Sequence, residues 1–311
     1  NPTVLPDVVL SLRPMIAPLL PYRGRFAPSP TGPLHFGSLV AATGSFMEAR
    51  SRGGEWRLRM EDVDLPRCST AAADEILHTL EAFGFAWDGE VVWQSRRGAA
   101  YAAALERLRA ARRVFPCACT RRELADSAIA PDGAAIYPGT CRHGLPSGRA
   151  ARAWRLRVGD ARVGFDDAIQ GRIESDLARE AGDFVLLRAD GLHAYQLAVV
   201  VDDAEAGITD VVRGADLLTS TARQIFLQQC LGFATPSYAH LPVVVNAAGE
   251  KLSKQTLAPP LDARHPAPAL VAALRFLGQA PPVDLTLAGV DDVWRWALAN
   301  WRLDRVPRGP L

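Results

Sequence analysis

Three features of this sequence predict an α/β fold built on a doubly wound, parallel sheet. Arg25-Phe26 is a short apolar step that turns through a loop with Gly32 and Gly37 into a helical stretch, Leu39 to Arg50. The same strand–turn–helix rhythm returns at Arg57–Met60 before Ala71–Phe83, and at Ile208–Arg213 before Thr221–Leu231. Tyr195 to Val201 is an unbroken apolar run of the kind that parallel strands show when both faces are buried. Together they describe a Rossmann-like sheet whose ligands sit at the carboxyl ends of its strands.

The first loop is the most informative stretch. Stiffened by Pro28, Pro30 and Pro33, it delivers His35, Gly37 and Ser38 to a helix start. Unpaired N–H groups and the positive end of the dipole make such a start a place for phosphate. An ordinary proline-rich turn capping a helix would look the same on spacing alone. The second strand ends in Glu61-Asp62-Val63-Asp64. Glu61 there is either a partner for a cationic amine or an acidic cap for the next helix, a task that Ser69 or Thr70 already fills. Tyr101 to Arg113 reads as a periodic helix with Leu105 and Leu108 inward.

From Val114 to about Asp190 the pattern changes to short β-like segments, Trp154–Val158 and Val163–Asp176, and this reads as an insertion. Cys117, Cys119 and Cys141 fall within it, in a stretch punctuated by Pro and Gly. Three sulfurs so spaced suit a tetrahedral zinc site, with His143 or a Tyr137 phenolate as fourth ligand. Cys68 and Cys230 read as structural. The α/β pattern resumes with the apolar run ending at Asp202-Asp203, and Arg213 then arrives at a strand end. Its bland role is a salt bridge to Asp202, Asp203 or Asp216. Leu241–Val245 is expected as the last strand, leading to Lys251-Leu252-Ser253-Lys254. These are the only two lysines among 35 basic residues, and an ammonium is a compact, mobile charge that arginine does not replace. A proline-rich linker, helices Ala269–Gly278 and Val290–Trp301 with packing tryptophans 294, 296 and 301, and a loose tail Leu303–Leu311 complete the chain.

Composition bounds the partners. With 49% hydrophobic and 22% charged residues the chain reads as globular, and a net charge of +1 announces no nucleic acid. RNA contact would need local clusters such as Arg107 to Arg113, Arg121-Arg122 or Arg149 to Arg157, which otherwise read as solvated faces. No run approaches the roughly 18 apolar residues of a membrane span. Five clustered cysteines argue against a disulfide scaffold and for the cytoplasm. Residues 1–21 lack the form of a signal peptide and read as a flexible arm.

Pro28-x-x-x-Gly32-x-Leu34-His35-x-Gly37 and Lys251-x-Ser253-Lys254 resemble the two signatures of class I aminoacyl-tRNA synthetases. Phe26 to Gly32, Met60-Glu61-Asp62-x-Asp64, Leu197–Asp203 and Val212 to Asp216 narrow this to the glutamate branch, over about Tyr22 to Leu277. Ser38 departs from the general first signature but matches a truncated form of that branch, and Gln255 departs from the second. The stretch after Lys254 leaves no room for the helical anticodon-binding region of full glutamyl-tRNA synthetases. The resemblance is therefore to the glutamyl-Q tRNA(Asp) synthetase family, which attaches glutamate to queuosine in the anticodon loop of tRNA(Asp).

That resemblance implies a ligase using L-glutamate, ATP with Mg²⁺ and queuosine-modified tRNA(Asp), with one structural Zn²⁺; the sequence does not give the oligomeric state, and a monomer is the working expectation. Arg25, Phe26, Ala27, Pro28, Ser29, Glu61, Tyr195 and Arg213 match positions that contact glutamate. Lys254 matches an ATP-binding position, His35 and Gly37 at the helix start are read as holding ATP beside it, and His35, Ser38, Lys251 and Lys254 would carry the chemistry. Cys117, Cys119, Tyr137 and Cys141 match the zinc ligands. The implied layout is an arm (1–21), a catalytic first half (22–113), an inserted zinc-containing subdomain (114–194), a catalytic second half (195–258) and a short helical C-terminal region (259–311). A shortened synthetase charging a tRNA 3′ end and a non-catalytic RNA-binding zinc module are the competing readings.

Overall fold

A computed structural model describes residues 21–125, 127–130, 133, 135–245 and 259–309. The Lys251–Lys254 signature and the arm up to residue 20 lie outside them. Strands β1 (Arg23–Phe26), β2 (Glu55–Met60) and β3 (Val92–Trp93) form one parallel sheet in the order β1-β2-β3. A second sheet runs β7-β6-β10-β9, from β6 (Arg162–Asp167), β7 (Gly171–Asp176), β9 (Asp210–Gly214) and β10 (Ser237–Leu241). Here β9 and β10 are parallel while β6 and β7 form an antiparallel hairpin. The two sheets meet where Thr209 N–H donates to Arg23 O at 3.0 Å. A third, antiparallel sheet joins β4 (Val114–Cys117), β5 (Ala153–Leu156) and β8 (Val185–Leu187). The α/β expectation is met by mixed sheets in place of a wholly parallel one.

Helix α1 (Phe36–Ser51) fills the space beneath the first two sheets. It is buried on nearly every side, because β strands flank one face and the C-terminal helices α7 (Pro266–Phe276) and α8 (Val290–Asn300) cover the other. Gly44 marks the closest approach: a Cβ there would stand 2.6 Å from Leu241 Cδ1. Helix α2 (Thr70–Ala82) is capped by Ser69, whose side chain accepts from Ala72 N–H. Glu61 is thus spared the capping role. Helix α3 (Gly98–Ala110) and α6 (Leu218–Leu231) pack with α5 (Tyr195–Glu205) in a second core; α4 (Leu177–Glu180) is one turn.

Three expectations are corrected. Tyr195–Val201 is not a strand but the first two turns of α5, which runs on through Asp202 and Asp203. A fully buried segment lacks an exposed face, so its periodicity cannot separate strand from helix. The last strand is Ser237–Leu241, not Leu241–Val245; Pro242 has no N–H to extend the ladder. The tail is packed over its described part, with Val306 buried and Arg308 Nε donating to Ile169 O at 3.0 Å.

Candidate active site and candidate metal centre

The strand ends open on a cleft of about 1230 Å³. Its walls come from the loops after β1, β2, β9 and β10 and from the first turns of α1 and α5. Every candidate for glutamate, ATP or catalysis among the described residues faces it: Arg25, Phe26, Ala27, Pro28 and Ser29; Glu61; His35, Gly37 and Ser38; Tyr195; Arg213. The two loops after β1 and β2 are tied together, since Glu61 N–H donates to Pro28 O at 2.9 Å.

At the mouth of α1, His35 is the N-cap and its Nδ1 accepts from Ser38 N–H at 3.3 Å. In neutral imidazole the proton then resides on Nε2, a donor at the positive end of a helix. Cys68 also lines the cleft.

The glutamate candidates sit in a buried charge network. Arg59 is the hub: Nη1 donates to Asp203 at 2.6 Å and Nη2 to Glu61 at 3.2 Å. Arg25 pairs with the same Asp203 at 3.3 Å. Asp202, one position back on α5, accepts from Gln94, Arg97 and Tyr101. Burial raises the Asp203 carboxyl, but Arg25 and Arg59 outweigh it and hold it below the ordinary range. For Glu61 burial wins and pushes it up, although Arg59 and Arg25 pull the other way. Burial likewise raises Tyr195. The consequence is two differently prepared arginines. Arg25 arrives already neutralised by a carboxylate. Arg213 has none within ion-pair distance among the described residues; it is held by His240 and Thr221, and its buried Nη1 has no hydrogen-bond partner.

Sequence reasoning missed Asp203 as the Arg25 anchor, Arg59 as the Glu61 partner, and His193 and Arg188 as cleft walls. Only the Asp202-Asp203 pair left a signal, as acids ending an apolar run. Arg188 is paired with Asp64 and Asp190.

Away from the cleft, the sulfurs of Cys117, Cys119 and Cys141 all lie within 4.8 Å of one another, beside the antiparallel sheet. Tyr137 Oη stands 3.5 Å from Cys117 Sγ and 3.6 Å from Cys119 Sγ, and accepts from Cys141 N–H at 2.7 Å. The Cys119–Cys141 sulfur separation is 3.7 Å. A tetrahedral zinc with Zn–S of about 2.3 Å needs sulfurs about 3.8 Å apart, so the donor set fits. Arg155 Nε donates to Cys117 Sγ at 3.3 Å and Ala118 N–H to Cys141 Sγ at 3.4 Å, so both sulfurs have an outer hydrogen-bond donor. His143 is exposed and outside this group.

Residues 22–278 match the family model of tRNA synthetases class I (E and Q), catalytic domain. A glutamyl-Q tRNA(Asp) synthetase of Aromatoleum aromaticum is 67% identical over 93% of this chain and 91% of its own length. One from Dechloromonas aromatica is 62% identical over 94% and 97%. Among solved structures, a glutamate-tRNA synthetase from Elizabethkingia anophelis superposes with a TM-score of 0.76 at 24% identity, over 92% of this chain and 67% of that one. A glutamate tRNA ligase from Elizabethkingia meningosepticum, solved in complex with its amino acid, gives 0.75 at 25% identity over 92% and 66%. Shared fold, cleft and close relatives converge: the chain belongs to the class I tRNA synthetases, in the glutamyl-Q tRNA(Asp) synthetase family.

Proposed function

We propose that the chain activates L-glutamate with ATP and transfers the glutamyl group to queuosine in the anticodon loop of tRNA(Asp). The observation that carries the geometry is one cleft holding a guanidinium, Arg213, with no carboxylate partner among the described residues, and a largely buried carboxylate, Glu61. Those are the complements of an amino acid with an acidic end. The identity of the RNA acceptor rests on the relatives' names.

Arg213 takes one carboxylate of glutamate through its planar fork, and Arg25, steadied by Asp203, meets the other. Glu61, steadied by Arg59, pairs with the α-ammonium, and the Tyr195 hydroxyl orients the ligand. Phe26, Ala27, Pro28 and Ser29 form the wall behind it. An α-carboxylate oxygen attacks the α-phosphorus of ATP; the bond to the β-phosphate oxygen breaks and pyrophosphate leaves. Positioning and charge stabilisation supply most of the acceleration. His35 Nε2–H and the Ser38 hydroxyl donate to phosphate at the helix mouth, while the close approach at Gly37 admits it. Lys251 and Lys254 are assigned to the leaving pyrophosphate on sequence grounds alone. Mg²⁺ arriving with ATP would neutralise charge on that group.

In the second step a hydroxyl of the queuosine cyclopentene ring attacks the carbonyl carbon of the adenylate, loses its proton, and AMP departs. RNA loops are read through splayed bases and stacking, which a cleft open to solvent can accept. Cys117, Cys119, Cys141 and Tyr137 would hold a structural zinc that staples the connection between β4 and β5 to its sheet.

Glutamate-dependent exchange of label between pyrophosphate and ATP tests the first step. Exchange should require glutamate and be unsupported by glutamine. Equal exchange with both amino acids, or none with either, contradicts the proposal.

A further inference from the structure

Arg213 on β9 and His240 on β10 are register partners across two parallel strands. Their side chains meet, with Arg213 Nε 3.2 Å from His240 Nε2. Thr221 Oγ1 lies 3.0 Å from the same nitrogen and accepts from Arg213 Nη2 at 2.8 Å. On the other side of the ring, His240 Nδ1 stands 2.6 Å from Asp167 Oδ2, at the end of β6. Asp167 is itself locked, because its Oδ1 accepts the N–H groups of Ile169, Gln170 and His240. Both His240 and Asp167 side chains are wholly buried.

Donor and acceptor counting fixes the proton. Arginine has no acceptor, so the nitrogen facing it must offer its lone pair. His240 is therefore the Nδ1–H tautomer, donating to Asp167. Burial also lowers its pKa and keeps the ring neutral. Thus two neutral acceptors, an imidazole and a hydroxyl, grip Arg213 on Nε and Nη2. Among the described residues Nη1 has no hydrogen-bond partner. Arg25 and Arg59, by contrast, are both held by carboxylates. A guanidinium gripped this way keeps its whole charge for a ligand. An anionic carboxylate satisfies it; an amide brings a weaker oxygen and a competing N–H donor.

We propose that Asp167 and His240 are positioning residues that aim an uncompensated Arg213 at the substrate, and so set the preference for glutamate over glutamine. This rests on the glutamate reading above. It extends the binding site by two residues that touch no substrate and come from segments distant in sequence.

The test combines kinetics with a direct readout of the tautomer. An asparagine at 167 can donate to Nδ1, which moves the ring proton to Nε2, against the Arg213 N–H. Asp167→Asn should therefore raise the KM for glutamate roughly 10- to 100-fold, the range of a lost hydrogen bond to a charged group. The KM for ATP and kcat should hold, and discrimination against glutamine should fall. His240→Phe should behave alike, while His240→Gln, which returns an oxygen acceptor, should recover most of that loss. In the His240→Gln background Asp167→Asn should have little further effect. In protein with ¹⁵N-labelled histidine, the His240 Nε2 should show an unprotonated shift in the wild type and a protonated one in Asp167→Asn. An unchanged glutamate KM in Asp167→Asn, equal losses in both substrates' KM, or a protonated Nε2 in the wild type would overturn the proposal. Should the wild type fail to exchange with glutamate, the substrate reading falls, and the histidine spectrum judges the relay by itself.

Discussion

Glu61 is the residue whose behaviour is set most visibly by its surroundings. Burial lifts its pKa above the ordinary carboxyl value, against the pull of Arg59 and Arg25. The sign of the consequence is fixed. Falling pH protonates Glu61 before it protonates an exposed glutamate, so the site loses its charge for the substrate ammonium. The glutamate KM should rise on the acid side, beginning above the ordinary carboxyl range, while the KM for ATP follows a different curve. Glu61→Gln should have a high glutamate KM throughout and no acid rise; an acid rise surviving in that variant would take Glu61 out of ammonium binding. This residue was legible in the sequence, as an acid at a strand end beside a helix that already had its cap in Ser69. Asp167 and His240 were not. A lone histidine in a strand reads as core, and its partner lies 73 positions away.

At the scale of elements, β1, α1, β2 and β9 were legible because each has Gly or Pro nearby and a charged side chain (Arg25, Arg50, Glu61 and Arg213) within one position of its end. Helix α5 was not. Leu197 to Val201 are all buried, so only the placement of Asp202 and Asp203 toward the arginines of β1 and β2 betrays its helical turn. The contact between α1 and β10 makes a testable case. Adding a methyl at Gly44 gains helix propensity of about 1 kcal/mol. It also drives a carbon to 2.6 Å from Leu241 Cδ1 in a fully buried setting, where overpacking costs about 1–3 kcal/mol. Overpacking wins, so Gly44→Ala should lower the thermal midpoint, and adding Leu241→Val should restore part of it. A raised midpoint in Gly44→Ala would show that the helix and strand are less tightly apposed. Gly278 is stricter still: φ is +71° and a Cβ would stand 2.1 Å from Arg305 O, so Gly278→Ala should destabilise by about 1–3 kcal/mol in denaturant titration. The same close approach of Gly278 to Arg305 belongs to a tail that is packed, not loose, over residues 303–309.

The described residues form three cores: one under α1 and the C-terminal helices, one around α5, and a small one of Phe115, Cys117, Ala118, Tyr137 and Cys141. The third is too small to order its loops by burial alone, which is the physical reason to expect a metal there. Zinc analysis should find one ion per chain. Cys119→Ser should reduce it and expose residues 114–153 to protease, while the cleft keeps its fold; full zinc occupancy in that variant would exclude Cys119 as a ligand. The cysteine spacing made this centre legible, and the β6–β7 hairpin that follows it was legible as β but not as an extension of the β9–β10 sheet, because strand partners are chosen in three dimensions. Among the described residues no helix is long and apolar enough to cross a membrane. The claim on which the rest depends is that one cleft both activates glutamate and hands it to a modified anticodon base. Its most direct test is transfer of radiolabelled glutamate to tRNA(Asp) prepared with and without queuosine. Label should enter only the queuosine-containing RNA and should require ATP. Equal labelling of both preparations, or labelling at the 3′ end, would contradict it.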